Sequence, residues 1–121
     1  MLELAVPAWH SSLTLKQSAS IERCQRVAVA TISGAGWREY DATLGRLGLT
    51  RLDVRREKLC RTFATRTVAR SRHQDLFPRR DGHSHNTRQV GSTFQEVTCR
   101  TWRRYRSARP YLTRLLNKQT P

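Results

Sequence analysis

The chain has 121 residues, with 23 lysines and arginines against nine aspartates and glutamates and a net charge of +14 at pH 7. Its apolar content is 37%, so we expect one small domain with a thin core that a partner helps to stabilise. No apolar run approaches the roughly 18 residues of a membrane span, and the N-terminus lacks the basic region of a signal peptide. These features exclude a membrane-spanning or secreted class and favour an intracellular protein of the nucleus or cytoplasm.

The basic residues are concentrated in the second part of the chain. Residues 51–121 contain 18 basic and five acidic side chains, a net charge of +13, whereas residues 1–50 have a net charge of +1. Twenty of the basic residues are arginines, whose planar guanidinium groups form paired hydrogen bonds with phosphates. This asymmetry predicts RNA or DNA as the partner. A GC-rich coding region would also enrich arginine, and that alternative stays open.

The first predicted element is a helix over residues 15–32. Thr14 is its N-cap, Gln17 completes a capping box, and Gly34 ends the helix. Because charged residues occupy the opposite face, the helix is amphipathic and requires a packing partner. Four residues share its apolar face: Ile21, Cys24, Ala28 and Ile32.

Two further helices are predicted in the middle of the chain. The first spans residues 39–46, presents Tyr40, Leu44 and Leu47 and ends at Gly48. The second spans residues 51–70, and its apolar stripe comprises Leu52, Leu59, Cys60, Phe63, Ala64 and Thr67. Its opposite face comprises Arg51, Arg55, Lys58 and Arg66. This layout predicts that one side packs on protein while the other contacts phosphate; the alternative is a solvated charged face.

Arg56 interrupts the apolar stripe of the predicted 51–70 helix. An unpaired charge at a buried position is costly. We therefore predict a carboxylate partner for this guanidinium group, with Glu22 and Glu39 as the candidates.

The apolar periodicity then disappears, and residues 73–93 are predicted to form a basic, disordered linker. The segment 94–105 is predicted to be extended. A terminal helix begins with Pro110 at its first position, and it must pack on another element because it is short. The overall prediction is an all-α fold with two or three helices in residues 1–72, followed by the linker and an arginine- and aromatic-rich tail over 94–121.

The tail contains the candidate nucleic-acid contacts. Trp102 and Tyr105 offer flat rings on which unpaired bases stack, at about 1 to 3 kcal/mol per base. The surrounding cations are Arg100, Arg103, Arg104, Arg106 and Arg109. The predicted site combines this cluster with the basic face of the 51–70 helix. The alternative is that both rings pack on the terminal helix.

The positions of the cysteines and histidines argue against a metal site. Cys24, Cys60 and Cys99 are widely spaced, which predicts reduced intracellular thiols rather than disulfides. Structural zinc favours a close cysteine pair, and His83 and His85 are separated by one residue on a predicted loop. We therefore predict no metal, no cofactor and no catalytic residue.

Several stretches match the motifs of one protein family in order and spacing. The first half contains Val6-Pro7-Ala8-Trp9-His10, Leu13-Thr14, Ile21-Glu22, Gln25-Arg26, Tyr40, Leu44, Leu47-Gly48-Leu49, Leu52 and Arg55-Arg56. The second half contains His85-Asn86-Thr87-Arg88, Cys99-Arg100-Thr101, Tyr105 and residues 110–117. Together they resemble the C-terminal region of reverse transcriptases encoded by jockey-like and related animal non-LTR retrotransposons.

The resemblance implies a helical region on the thumb side of an RNA-directed DNA polymerase. Such a polymerase needs palm aspartates that hold two metal ions about 4 Å apart, but here Tyr40-Asp41 is followed by Ala42-Thr43. We therefore expect a C-terminal fragment or degenerate copy without its own catalysis, whose partners are RNA or DNA and the palm domain of the parent polymerase. The alternatives are a stand-alone basic nucleic-acid-binding protein and a non-functional retroelement remnant.

Overall fold

The computed structural model describes residues 3, 5–37, 39–80 and 93–118. These residues form six α-helices and three 3-10 helices and contain no β-strand, so the predicted all-α fold is confirmed. No helix in this part of the chain is long and apolar enough to cross a membrane. The α-helices are α1 (Val6–Trp9), α2 (Leu15–Ser33), α3 (Tyr40–Arg46), α4 (Leu52–Ala69), α5 (Trp102–Tyr105) and α6 (Ala108–Asn117).

The chain divides into two compact units. The larger unit comprises residues 1–12 and 59–121, and the smaller unit comprises residues 13–58. The division predicted from the sequence, with boundaries after residues 72 and 93, followed the chain linearly. In the structure the first 12 residues group with the C-terminal part because α1 contacts α6 and Val6 lies in a buried cluster with leucines of α6.

Helix α2 begins and ends where its sequence indicates. Thr14 Oγ1 accepts a hydrogen bond from the Gln17 amide at 3.2 Å, and Gln17 Oε1 accepts one from the Thr14 amide at 2.9 Å. This reciprocal capping satisfies two backbone donors that the helix leaves without partners. At the other end Gly34 has a φ of 47°, in the left-handed region that glycine adopts without steric cost. The predicted helix and its boundaries are confirmed.

The buried side of α2 differs from the prediction. Its buried residue is Val29, whereas Cys24, Ala28 and Ile32 are exposed and Ile21 is half-buried. Ile32 has 76% of its surface exposed. Three of the four residues on the predicted apolar face therefore lie in exposed positions.

Polar contacts explain this difference, because the packed side of α2 meets groups that require hydrogen-bond partners. Ser18 Oγ accepts a hydrogen bond from Arg56 Nη2 at 2.8 Å, and Gln25 Nε2 donates one to the Thr50 carbonyl at 3.1 Å. A buried polar group without a partner costs more than an aliphatic side chain left in water. Hydrogen bonding has thus overridden the apolar pattern of this helix.

Glu22 is the central side chain of the smaller unit. Its Oε1 accepts a hydrogen bond from the Tyr40 hydroxyl at 2.7 Å, and its Oε2 accepts one from the Leu52 amide at 3.1 Å. Leu52 opens α4, where the helix dipole and free N–H groups favour a negative charge. Burial and the hydrogen bond to Glu22 raise the pKa of Tyr40. One carboxylate therefore links α2 to α3 and to the start of α4.

Arg56 occupies the buried position that the sequence indicates, with 1% of its surface exposed. Its guanidinium group donates to the Ser18 hydroxyl. Glu22, one of its two predicted partners, accepts hydrogen bonds from Tyr40 and Leu52. The other candidate, Glu39, lies in an exposed position. A carboxylate partner for Arg56 stays a prediction.

The core of the larger unit is built from α1, the second part of α4, and α6. Helix α6 starts at Ala108, with Ser107 as N-cap, so Pro110 occupies its third position rather than the predicted first one. A proline is tolerated there because the first-turn amide has no intrahelical acceptor. The prediction that this helix packs on another element is confirmed. The buried core residues of the unit are Val6, Cys60, Ala64, Phe77, Phe94, Leu112, Leu115 and Leu116.

The predicted linker begins with structured residues. A 3-10 helix spans Ser71–Leu76, and Phe77 after it has only 5% of its surface exposed. Further on, the Phe94 amide donates to Asn117 Oδ1 at 2.9 Å, and Asn117 Nδ2 donates to the Phe94 carbonyl at 3.1 Å. Within the predicted linker, the 3-10 helix thus extends to Leu76, and Phe77 belongs to the core. The prediction of disorder over 81–92 lies outside the described residues.

Candidate nucleic-acid interface

The arginine-rich tail forms a short helix where the sequence predicted an extended segment. Helix α5 is capped by Thr101, whose Oγ1 accepts a hydrogen bond from the Arg104 amide at 3.3 Å. The prediction was wrong for Trp102–Tyr105 because this run contains no apolar periodicity, and only the cap at Thr101 indicates a helix. The helical turn places Trp102 and Tyr105, three residues apart, on the same face.

Trp102 and Tyr105 stack on each other. Their ring centroids are 5.2 Å apart and the planes are inclined by 17°. The guanidinium carbon of Arg114, from α6, lies 3.8 Å from the centroid of the Tyr105 ring, and its Nη2 donates to the Tyr105 carbonyl at 2.9 Å. Tyr105 thus contacts a ring and a cation at once. Trp102 remains 70% exposed and Tyr105 41% exposed; we call Trp102, Tyr105 and Arg114 the aromatic platform.

The arginines predicted to surround these rings have two different roles. Arg100, Arg103 and Arg104 are exposed and lie next to the aromatic platform in sequence. Arg106 instead donates from Nη2 to the Ser12 carbonyl at 3.3 Å, and Arg109 donates from Nε to the Leu76 carbonyl at 3.0 Å. These two anchor neighbouring backbone segments of the larger unit. The first three retain the character expected of phosphate contacts.

Sequence reasoning missed Arg114. It lies nine residues after Tyr105, in a helix that the sequence assigned to core packing, and no local spacing couples the two positions. A cation over an exposed ring is worth about 0.5 to 1 kcal/mol. The main role of Arg114 is therefore to hold Tyr105 in its orientation.

The basic residues predicted on α4 are exposed, and they divide between the two units. Arg51, Arg55 and Lys58 belong to the smaller unit, whereas Arg66 shares the larger unit with Trp102 and Tyr105. Arg66 is therefore the member of this set that lies in the same unit as the aromatic platform.

Arg51 is engaged by acidic neighbours within the smaller unit. It forms ion pairs with Asp41 at 3.9 Å and Asp53 at 3.4 Å, and Asp53 raises the pKa of Arg51. Because these pairs are exposed, they contribute little stability. They do offset the charge that Arg51 would offer to a phosphate.

The thiols are distributed between surface and core. Cys24 is exposed, Cys60 is buried and Cys99 is half-buried, and none of these three thiols forms a disulfide. Cys60, at 0% exposure, lies in the core where a nucleophile has no access to substrate. The described residues contain no group of three or more metal-ligating side chains, and His83 and His85 lie outside them.

The chain matches no protein-family model, no curated protein and no solved structure.

Proposed function

We propose that this chain binds single-stranded RNA or DNA without sequence specificity, using the aromatic platform and the exposed arginines beside it. The observation that carries the proposal is the exposure of Trp102, which is 70% accessible although its ring is held against Tyr105. An unpaired base stacks on such a ring, and every base has a face that fits it. Lack of sequence preference follows from this kind of contact.

Preorganisation of the platform supports the proposal. Tyr105 is held by the Arg114 guanidinium through both its ring and its carbonyl. Trp102 stacks on this fixed ring, so less side-chain freedom is lost when a base arrives. A flexible exposed tryptophan would lose conformational entropy when a base binds, and this loss would offset part of the stacking energy.

Charge supports the same proposal. Arg100, Arg103 and Arg104 are exposed near the two rings, and the planar guanidinium group binds phosphate through paired hydrogen bonds. Aromatic rings interleaved with cations are the usual composition of surfaces that bind single strands. Duplex DNA offers phosphates but no free base faces, so single strands are the preferred ligand.

The proposed origin is the C-terminal region of a non-LTR retrotransposon reverse transcriptase, as a fragment or degenerate copy. Its support is the order of the sequence motifs and the packing of the first on the last, since Val6 shares a buried cluster with Leu112 and Leu115. The rings of His10 and Tyr111 also meet edge to face, 5.6 Å apart. No Tyr-x-Asp-Asp element occurs in the sequence, so we assign the chain a binding role without polymerase activity of its own.

The test is a salt series of fluorescence anisotropy titrations with a labelled 12-nucleotide single-stranded RNA, its DNA counterpart and the matching duplex. If three to five arginines contact phosphates of a single strand, affinity falls about 15- to 130-fold between 50 and 200 mM salt. We expect both single strands to bind alike and the duplex to bind more weakly. Affinity that does not change with salt, or tighter binding of the duplex, would contradict the proposal.

A further inference from the structure

A groove in the larger unit lies between the end of α4 and the 3-10 helix Ser71–Leu76. It has a volume of about 350 Å³, within the lower range of small-ligand sites. Six side chains line it, of which two are apolar and two are arginines: Phe63, Arg66, Thr67, Arg70, His73 and Leu76. None of these residues belongs to the aromatic platform.

Two apolar side chains in this groove are exposed to solvent. Phe63 and Leu76 each have 47% of their surface exposed, although the core of the unit is close by. Between them, the Thr67 hydroxyl donates to the Phe63 carbonyl at 2.8 Å, so its donor is already used within α4. The groove therefore offers a flat ring and aliphatic surface of the kind that binds an aromatic group.

Two arginines add positive charge to the groove, and a histidine adds ring nitrogens that form hydrogen bonds. Arg66 and Arg70 are four residues apart and share one side of the helix end with Phe63, and His73 follows on the 3-10 helix. All three are exposed. Across the described ranges of the chain, no carboxylate forms an ion pair with Arg66 or Arg70. Their guanidinium groups are thus available to an external anion.

The 3-10 helix that forms one wall of the groove is held in place by residues outside the groove. Arg109 Nε donates to the Leu76 carbonyl at 3.0 Å, and the next residue, Phe77, is buried in the core. The 3-10 helix is therefore fixed to α6 on one side and to the core on the other. A fixed wall keeps Leu76 exposed rather than letting it collapse onto Phe63.

We propose that this groove binds one nucleotide of a single strand, with the base against Phe63 and Leu76 and its phosphate on Arg66 and Arg70. The inference rests on the proposed function and adds a second, separate contact point to it. An acidic peptide would use the cations and leave the ring without a partner, and an apolar peptide would leave two guanidinium groups uncompensated. A nucleotide provides a partner for both the apolar side chains and the guanidinium groups of the groove.

The test compares two charge-matched double variants of the full chain. Arg66→Gln/Arg70→Gln removes the groove cations, and Lys16→Gln/Arg23→Gln removes the same charge from exposed positions of α2. With the 12-nucleotide RNA, the groove variant should bind at least 10-fold more weakly than the control variant. The slope of log affinity against log salt should also fall by about 1.4 in the groove variant, because a single strand contributes about 0.7 per phosphate contact. Equal losses in the two variants would overturn the proposal.

Phe63→Leu tests the base contact separately, because this substitution keeps an apolar side chain and removes the ring. Affinity for the RNA should fall about 5-fold or more, with an unchanged melting temperature. Chemical-shift titrations of the wild type with adenosine monophosphate and with inorganic phosphate then define the ligand. Shifts over residues 63–76 that are stronger with the nucleotide support the proposal, whereas equal responses to both would reduce the groove to a general anion site.

Failure of the groove and failure of the proposed function give different results. If the groove variants bind like their controls while Trp102→Ala weakens binding, the aromatic platform stands and the groove proposal is wrong. If Trp102→Ala has no effect while the groove variants weaken binding, the groove proposal stands and the platform loses its role.

Discussion

Two tyrosine–arginine pairs in this molecule have the same chemistry and opposite surroundings. In the smaller unit, Tyr40 is 6% exposed, Arg26 lies 4.9 Å above its ring, and its hydroxyl is bonded to Glu22. In the larger unit, Tyr105 is 41% exposed and Arg114 lies 3.8 Å from its ring. The first pair closes a core, whereas the second presents a ring to solvent.

The Glu22 carboxylate explains why the first tyrosine is buried and the second is not. Glu22 accepts a hydrogen bond from the Tyr40 hydroxyl and another from the Leu52 amide at the start of α4. The buried tyrosine hydroxyl is therefore not left without a hydrogen-bond partner. Tyr105 instead stacks on Trp102. A cation over an aromatic ring is therefore no evidence of binding by itself; the exposed partner ring is what distinguishes the second site.

Replacing the shared carboxylate gives the largest expected effect. Glu22→Ala removes two hydrogen bonds to a charged acceptor, and we expect it to lower the free energy of unfolding by about 3 kcal/mol. Glu39→Ala is the control, because Glu39 is exposed and makes no capping hydrogen bond. The control should change stability by less than about 0.5 kcal/mol. Chemical denaturation of both variants measures the difference, and equal stability would remove Glu22 from its central role.

Removing each tyrosine hydroxyl in turn sharpens the comparison. Tyr40→Phe should cost about 1 kcal/mol, since it takes away one partner of the Glu22 carboxylate. Tyr105→Phe should be neutral for stability, because its contacts are made by the ring and the backbone carbonyl. Similar losses in the two variants, measured by thermal unfolding, would contradict the assignment of separate roles.

The effect of Tyr40→Phe on stability should also depend on pH, with a smaller magnitude and a defined sign. Burial and Glu22 raise the pKa of Tyr40 above its ordinary value of 10.0, so the unfolded chain loses this proton at lower pH than the folded one. The stabilisation is constant below pH 10 and declines as the pH rises further. The stability difference between wild type and Tyr40→Phe should therefore shrink above pH 10. A difference that grows with pH would refute this sign.

Local signals in the sequence were sufficient for the helices that carry their own caps. Thr14, Gln17 and Gly34 lie next to the helix that they delimit, and the exposed basic face of α4 follows from helical spacing alone. The buried face of α2 depends on Arg56, which lies 38 residues after Ser18. No local pattern contains that information.

The site was predictable in part for the same reason. Trp102 and Tyr105 were identified because aromatic residues among arginines are a local feature. Their stacking required the short helix that Thr101 caps, and the cation behind Tyr105 comes from a separate helix. The groove was missed because Phe63 was assigned to the core, while its exposure depends on where the 3-10 helix Ser71–Leu76 lies.

The most direct test of the central claim compares the loss of two tryptophan rings. Trp102→Ala and Trp37→Ala each remove one partly exposed indole, 70% and 38% accessible respectively, and leave the net charge unchanged. In 50 mM salt, the first variant should bind the 12-nucleotide RNA about 5- to 150-fold more weakly than wild type, with an unchanged melting temperature, while the second binds like wild type. Equal affinity of the two variants, or loss of folding and affinity together in Trp102→Ala, would contradict it.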